Sequence, residues 1–229
     1  MTTAAAFNAA IISGECTSIR HQHGAVLARI ALPGERREFV RVKLPDEGDI
    51  TLFAGDQVQV SGRLTDYPYT ETLPEFLRRA CSLETAGRAL AEYAELSIRR
   101  ATTVIIPDAI SAASLGQNTA RLEGVIVKIW TYGGSRYARI MTERDSGYLT
   151  IQFTDGMAGG RLLPDLKAGD RIRLTGRLIQ RIYYESLRDF LTDARRADLI
   201  PVIGAERVDS IRARYLQTAV EADSLVVFS

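Results

Sequence analysis

Along residues 170–179 apolar and polar positions alternate without a break. Ile172, Leu174, Gly176 and Leu178 share one face, and Arg171, Arg173, Thr175 and Arg177 share the other. A period of two marks a strand with one face buried. Upstream, Leu122–Tyr132 is apolar and β-branched, and Gly133-Gly134 turns the chain into a second strand at Ser135–Thr142. Asp145-Ser-Gly147 leads into a third at Tyr148–Thr154, and a last strand is expected near Ala205–Ile211. The first half reads the same way, with strands at Ala9–Ile19, Gly24–Leu32, Glu38–Leu44, Asp56–Leu64 and Glu92–Arg99. Between its fourth and fifth strands, Pro74–Ala91 carries Phe76, Leu77, Ala80, Leu83 and Leu90 and predicts a helix. A matching helix is expected near Tyr184–Arg195.

The two halves are copies. Ala54-Gly-Asp-Gln-Val-Gln-Val-Ser-Gly-Arg-Leu64 aligns with Ala168-Gly-Asp-Arg-Ile-Arg-Leu-Thr-Gly-Arg-Leu178, 114 residues later, with six identities. The offset holds for Tyr69, Glu71, Leu73, Phe76, Leu77 and Ala80 against Tyr183, Glu185, Leu187, Phe190, Leu191 and Ala194. Upstream it falls to 110: Gly14 matches Gly124, Ile19 matches Ile129, and Ala28-Arg-Ile30 matches Ala138-Arg-Ile140. The second copy therefore gains about four residues, placed in the loop-like stretch Gly156–Lys167. A boundary near Pro107–Asn118 separates domains at 1–110 and 111–229. Five short strands per copy is the count of an OB barrel. The expected fold is mainly β: two tandem OB-fold domains, each a five-stranded Greek-key barrel with a helical insert between strands four and five.

Composition narrows the function. The 229 residues are 46% hydrophobic and 25% charged, an ordinary globular balance, with a net charge of +1 that gives no vote for an anionic partner. The halves differ: residues 1–110 hold 12 Lys+Arg against 14 Asp+Glu, and residues 111–229 hold 17 against 14. Only Lys43, Lys128 and Lys167 are lysines, so nearly all basic residues are arginines, which pair phosphates through two donors and stack on bases. A GC-rich coding sequence would produce the same bias. Cys16 and Cys81 make no disulfide framework and no zinc spacing, and His21 and His23 read as a solvated turn. There is no phosphate-binding glycine loop, nucleophile elbow or zinc triad, so no catalytic residue, metal or cofactor is assigned. Asp56 and Asp170 follow a glycine at a strand start, where aspartate satisfies turn amides. Residues 1–16 lack a signal-peptide pattern and no apolar run approaches the roughly 18–20 residues of a membrane span, so a cytoplasmic protein is expected.

The repeated segment Gly-Asp-x-Val-x-Val-x-Gly-Arg-Leu, standing at Gly55–Leu64 and in variant form at Gly169–Leu178, resembles the fourth strand of bacterial single-stranded DNA-binding proteins. The glycine amid aliphatics in Ile11-Ile-Ser-Gly14 and Leu122-Glu-Gly124 resembles the first strand of that family. The two-copy chain is similar to its tandem two-barrel members, which pair into dimers. The resemblance implies sequence-tolerant binding of single-stranded DNA in replication, recombination or repair, a homodimer or higher homo-oligomer, and no small-molecule substrate. Two features depart from it: the end Glu221–Ser229 carries only two acids, and the excursion after strand four reads as helical. RNA or transfer-RNA binding, and a protein-interaction scaffold, remain open readings of the same barrels.

Strand alternation proposes the ligand face. In the second copy Val125, Val127 and Ile129 are expected in the core, which turns Lys128, Trp130 and Tyr132 outward. Arg136, Tyr137 and Arg139 follow, then Tyr148, Thr150 and Gln152 beside inward Leu149, Ile151 and Phe153. Arg171, Arg173 and Arg177 complete the set, with Arg181, Tyr184 and Arg188 beyond it. The first copy offers Arg20, Arg29, Phe39, Arg41, Lys43 and Arg63, with Gln57 and Gln59 where the second has arginines, so the second is expected to bind more strongly. Against these roles stand bland ones: Trp130 as a core plug, Tyr69 and Tyr183 as braces for the inserts, Arg63 and Arg177 in strand-end ion pairs.

Overall fold

Among the described residues there are ten strands, in the order expected of two repeats. They are β1 (Asn8–Gln22), β2 (Ala25–Ala31), β3 (Phe39–Lys43), β4 (Gln57–Thr72) and β5 (Ser97–Ala112), then β6 (Asn118–Tyr132), β7 (Ser135–Met141), β8 (Tyr148–Phe153), β9 (Arg171–Ser186) and β10 (Arg212–Phe228). Four short helices join them: α1 (Leu73–Cys81), α2 (Leu187–Asp193), α3 (Ile200–Ile203) and α4 (Ala205–Ser210). The computed structural model describes residues 8–22, 24–34, 38–46, 52–81, 96–113, 116–142, 147–154, 165–193 and 195–228. The insert beyond Cys81, the strand start at 92–95, His23 and most of the Gly156–Lys167 loop lie outside these.

The hydrogen-bonded order is β2-β3-β5-β4-β1-β6-β7-β8-β10-β9, and the added pairings β1–β2 and β6–β9 close two five-stranded barrels of the OB type. In each barrel the third strand runs parallel to the fifth: Val42 lies opposite Ile105, and Ile151 opposite Val220. The barrels are joined by β1 and β6, antiparallel, in a register where Ala10 faces its repeat equivalent Ala120. In each barrel one side chain ties the first strand to the fourth. Asn8 exchanges hydrogen bonds with the Leu64 carbonyl and N–H at 2.8 and 3.0 Å, and Asn118, 110 residues later, does the same with Leu178 at 2.8 Å each.

Asp56 accepts the Phe53 N–H at 2.7 Å and Asp170 accepts the Lys167 N–H at 2.8 Å, so the repeated acid is a turn residue. The repeated glycines answer a steric demand. A Cβ on Gly62 would sit 2.2 Å from the Ile106 carbonyl oxygen, and one on Gly176 would sit 2.1 Å from that of Glu221. No side chain fits where these strands cross.

The chain divides into two compact units: residues 1–67, 103–180 and 218–229, which hold both barrels, and residues 68–102 and 181–217, which hold both inserts. The fourth and fifth strands are longer than their alternation suggested, because they contribute to both units. The inserts have a core of their own, from Leu73, Phe76, Leu77 and Ile98 with Leu187, Phe190, Leu191, Leu199, Ile203, Val208, Ile211 and Ala213. Repeat-equivalent Phe76 and Phe190 stack there, centroids 4.0 Å apart. Each insert begins on the same device. Thr72 and Glu75 form a capping box, Glu75 accepting the Thr72 N–H at 2.9 Å, and Ser186 caps the Asp189 N–H at 3.0 Å.

Two expectations are corrected by the structure. Ala205–Ile211 is helical over Ala205–Ser210, because Val208 and Ile211, three apart, both enter the insert core, and the last strand starts at Arg212. The second helix starts at Leu187, with Tyr184–Ser186 still in β9, and β5 runs through Pro107 to Ala112, so the link before β6 is only 113–117.

Candidate nucleic-acid interface

The hairpin of the second barrel gathers aromatic rings as strand register requires. Trp130 lies opposite Tyr137, their rings stacked at 5.6 Å, and the Arg139 guanidinium lies 5.9 Å from the Trp130 ring. Tyr137 itself is only 3% exposed, so no base can lie on it; it is the platform under Trp130. Tyr148 is 45% exposed, Tyr132 and Lys128 are exposed at the same hairpin, and Thr150 and Gln152 are buried although their phase is outward. Arg136 donates to the Leu166 carbonyl at 3.0 Å, tying down the chain before β9.

The phase expected for the first strand of this barrel fails at one residue. A bulge between Ile126 and Lys128 shifts the register, so Ile126 is core, Val125 is half-buried and Val127 is exposed, while Ile129 packs against the core from beyond the bulge. The first barrel has the same bulge between Cys16 and Ser18, with Cys16 buried and its thiol pKa raised by burial. The repeat itself held the signal: two glycine-marked strands whose apolar phase changes at the same repeat position.

The fourth-strand arginines are not an uncompensated cationic row. Arg171 and Arg173 both grip Glu123 on the neighbouring strand, at 2.6 and 2.7 Å, and Arg177 grips Glu221 at 2.5 Å. Arg173 also lies 5.2 Å from the Phe228 ring. The hydrogen bond from Arg173 leads the causes that hold the Glu123 carboxyl below its usual range. A lowered native pKa contributes stability above the ordinary glutamate range, and that stability is lost as pH falls through the lowered value. Glu123→Gln is therefore expected to flatten the acid limb of the unfolding profile, read by circular dichroism between neutral pH and about pH 3.

In the first barrel Arg29 lies 3.5 Å over the Phe39 ring, and Arg41, its cross-strand neighbour, lies 5.5 Å from the same centroid. Lys43 sits 5.4 Å from the Tyr67 ring. Arg29 is half-buried, its Nε has no hydrogen-bond partner, and no carboxylate among the described residues pairs with it. Burial, then repulsion from Arg20, lowers its pKa. Such a guanidinium is stacked, dehydrated and short of an anion. The fourth-strand arginines of the second barrel are thus paired with acids, whereas Arg29 has no such pair among the described residues. Arg63 is exposed on β4. Arg181, Tyr184 and Arg188 lie in the insert unit, Tyr184 exposed and Arg188 held by Asp209 at 2.5 Å. Tyr183 stacks on Tyr215 at 5.7 Å within that unit.

Three residues that alternation did not mark stand beside the expected ones: Tyr67 under Lys43, Asp66 at Tyr148, and Gln180 at Phe39. Asp66 accepts the Tyr148 N–H at 3.2 Å and the Thr103 hydroxyl at 3.3 Å, and Gln180 accepts the Phe39 N–H at 3.3 Å. They stand 114 residues apart, as the repeat does. Among the described residues no group of three His, Cys, Asp or Glu side chains is placed to hold a metal ion, and no helix is long and apolar enough to cross a membrane.

No family model matches this sequence, and no curated protein matches it. Among solved structures, the wild-type single-stranded DNA binding protein from Thermus aquaticus is similar in fold. The TM-score is 0.50 with 19% sequence identity, over 97% of this chain and 93% of that one. The fold is that of a two-barrel OB protein. At 19% identity the likeness extends to the fold alone.

Proposed function

We propose that this protein binds single-stranded DNA with little sequence preference, holding the strand unpaired without chemistry. The observation that carries the reading is the Arg29 face: a guanidinium stacked on Phe39, paired with no carboxylate among the described residues, beside Arg20 and Arg41. Sequence-tolerant single-strand binding needs planes on which bases stack and cations along the backbone path. Arg29 supplies both, with Phe39 as the platform beneath it. Trp130 and Tyr148 supply rings on the second barrel. The likeness to a protein named for single-stranded DNA binding supports the reading through its fold.

A labelled thymidine oligonucleotide, followed by anisotropy at low and moderate salt together with Trp130 fluorescence, tests it. Binding that weakens with salt is expected, and Arg29→Ala should weaken it by about tenfold, in line with roughly 1–3 kcal/mol for a stacking plane. Binding without a change in Trp130 emission would keep the function and remove Trp130 from the site. No binding at low salt would sink the reading and turn the search to protein partners. Equal or tighter binding of a uridine oligonucleotide would select RNA.

A further inference from the structure

The two barrels are built on the same plan, and at one repeated crossing position a charged residue is exchanged for a neutral one. Phe39 and Tyr148 are structural equivalents, since each opens the third strand of its barrel opposite the end of the second, at Ala31 and Met141. Each has its backbone N–H held by the fourth strand of the other barrel, Phe39 by Gln180 and Tyr148 by Asp66. The contact at Asp66 is close: a Cβ on Gly147 would sit 3.0 Å from the Asp66 nitrogen, so Gly147 makes room for it. Arg29 and Arg139 are repeat equivalents on the adjoining second strands. The residue that crosses to Arg139's barrel is an acid; burial raises its pKa, and the Tyr148 N–H, the Thr103 hydroxyl and the Arg139 charge act against that rise. The residue that crosses to Arg29's barrel is a neutral amide.

We propose that the crossing pair Asp66 and Gln180 sets which barrel takes the nucleic acid strand, by placing a carboxylate beside the Arg139 face and withholding one from the Arg29 face. The proposal rests on the single-strand reading. Asp66 and Gln180 are positioning residues: they touch the backbone of Tyr148 and Phe39 and act on the ligand through the field at the neighbouring arginines. A unit charge a few ångströms from a phosphate path, partly shielded by solvent, is worth roughly a factor of five to ten in affinity. Each position also has a near-isosteric partner that keeps an oxygen acceptor for the same N–H, so charge can be changed with the hydrogen bond retained.

The test is the affinity of the full chain for a labelled thymidine oligonucleotide, with Gln180→Glu and Asp66→Asn measured beside the unaltered protein and with thermal melts for each. Gln180→Glu is expected to weaken binding roughly fivefold to tenfold, and Asp66→Asn to strengthen it several-fold, both differences shrinking as salt rises. A purely structural role would not move the two variants in opposite directions. If the unaltered protein binds and Asp66→Asn binds no more tightly, the proposal is overturned, whatever Gln180→Glu does to folding. If the unaltered protein does not bind, the single-strand reading itself has failed.

Discussion

Replacing Glu71 with leucine is expected to destabilise the insert unit by roughly 3–5 kcal/mol, while Arg79→Ala costs under about 1 kcal/mol. Glu71 lies at the end of β4 with its side chain only 4% exposed, and it holds Arg100 at 3.3 Å and Arg79 at 2.9 Å. Arg100 is itself 11% exposed and lies 5.0–5.3 Å from the rings of Phe76, Phe190 and Tyr215. Its charge is held out of water by its ion pair with that carboxylate, so removing Glu71 leaves it among aromatic rings with the more distant charge of Glu185. Arg79 is half in solvent and loses little by its removal. Chemical denaturation followed by circular dichroism reads the difference. Glu71→Leu combined with Arg100→Met should recover part of the loss, because the buried guanidinium no longer lacks its ion-pair partner. A double variant as unstable as Glu71→Leu alone would show that the ion pair is not what holds the inserts.

The second large effect is steric. Gly14→Ala is expected to lower stability by roughly 3 kcal/mol or more, since its Cβ would sit 1.7 Å from the Ala31 carbonyl oxygen. No rotamer relieves a clash with backbone, so β1 and β2 must separate where Cys16 pairs with Ile30. Gly124→Ala should cost less, its nearest atom being the Met141 carbonyl oxygen at 2.5 Å. Gly134→Ala meets nothing within 4 Å and bears only the cost of the left-handed backbone at φ 80°, about 1–2 kcal/mol. Urea midpoints should rank the three variants in that order, and Gly134→Ala as damaging as Gly14→Ala would refute the packing account.

Much of the candidate site was hidden from alternation for identifiable reasons. Strand phase placed Trp130 and Tyr137 together, yet it could not show that Tyr137 is covered, because burial of an outward ring depends on what neighbouring strands bring. The bulge at Ile126–Lys128 reversed the phase of Val125 and Val127, and in a β-branched run it shows only when the two copies are compared. Counting arginines favoured the second barrel, whereas Glu123 and Glu221 occupy the charges of Arg171, Arg173 and Arg177 from strands far along the chain. Arg29 looked ordinary in the chain and became the sharpest feature once Phe39 was seen beneath it.

By itself the sequence determined the repeat, the five-strand barrels and the turn aspartates. These are local properties: a period of two and an acid in the turn before a strand, each written twice at a constant offset. Only the tertiary structure decided how the repeats join through β1 and β6, how the two inserts share one core around Phe76 and Phe190, and that acids hold Arg171, Arg173 and Arg177. Those outcomes depend on pairs of residues separated by tens to more than a hundred positions, and pairing at that distance is settled by register and burial, which no single stretch of chain carries.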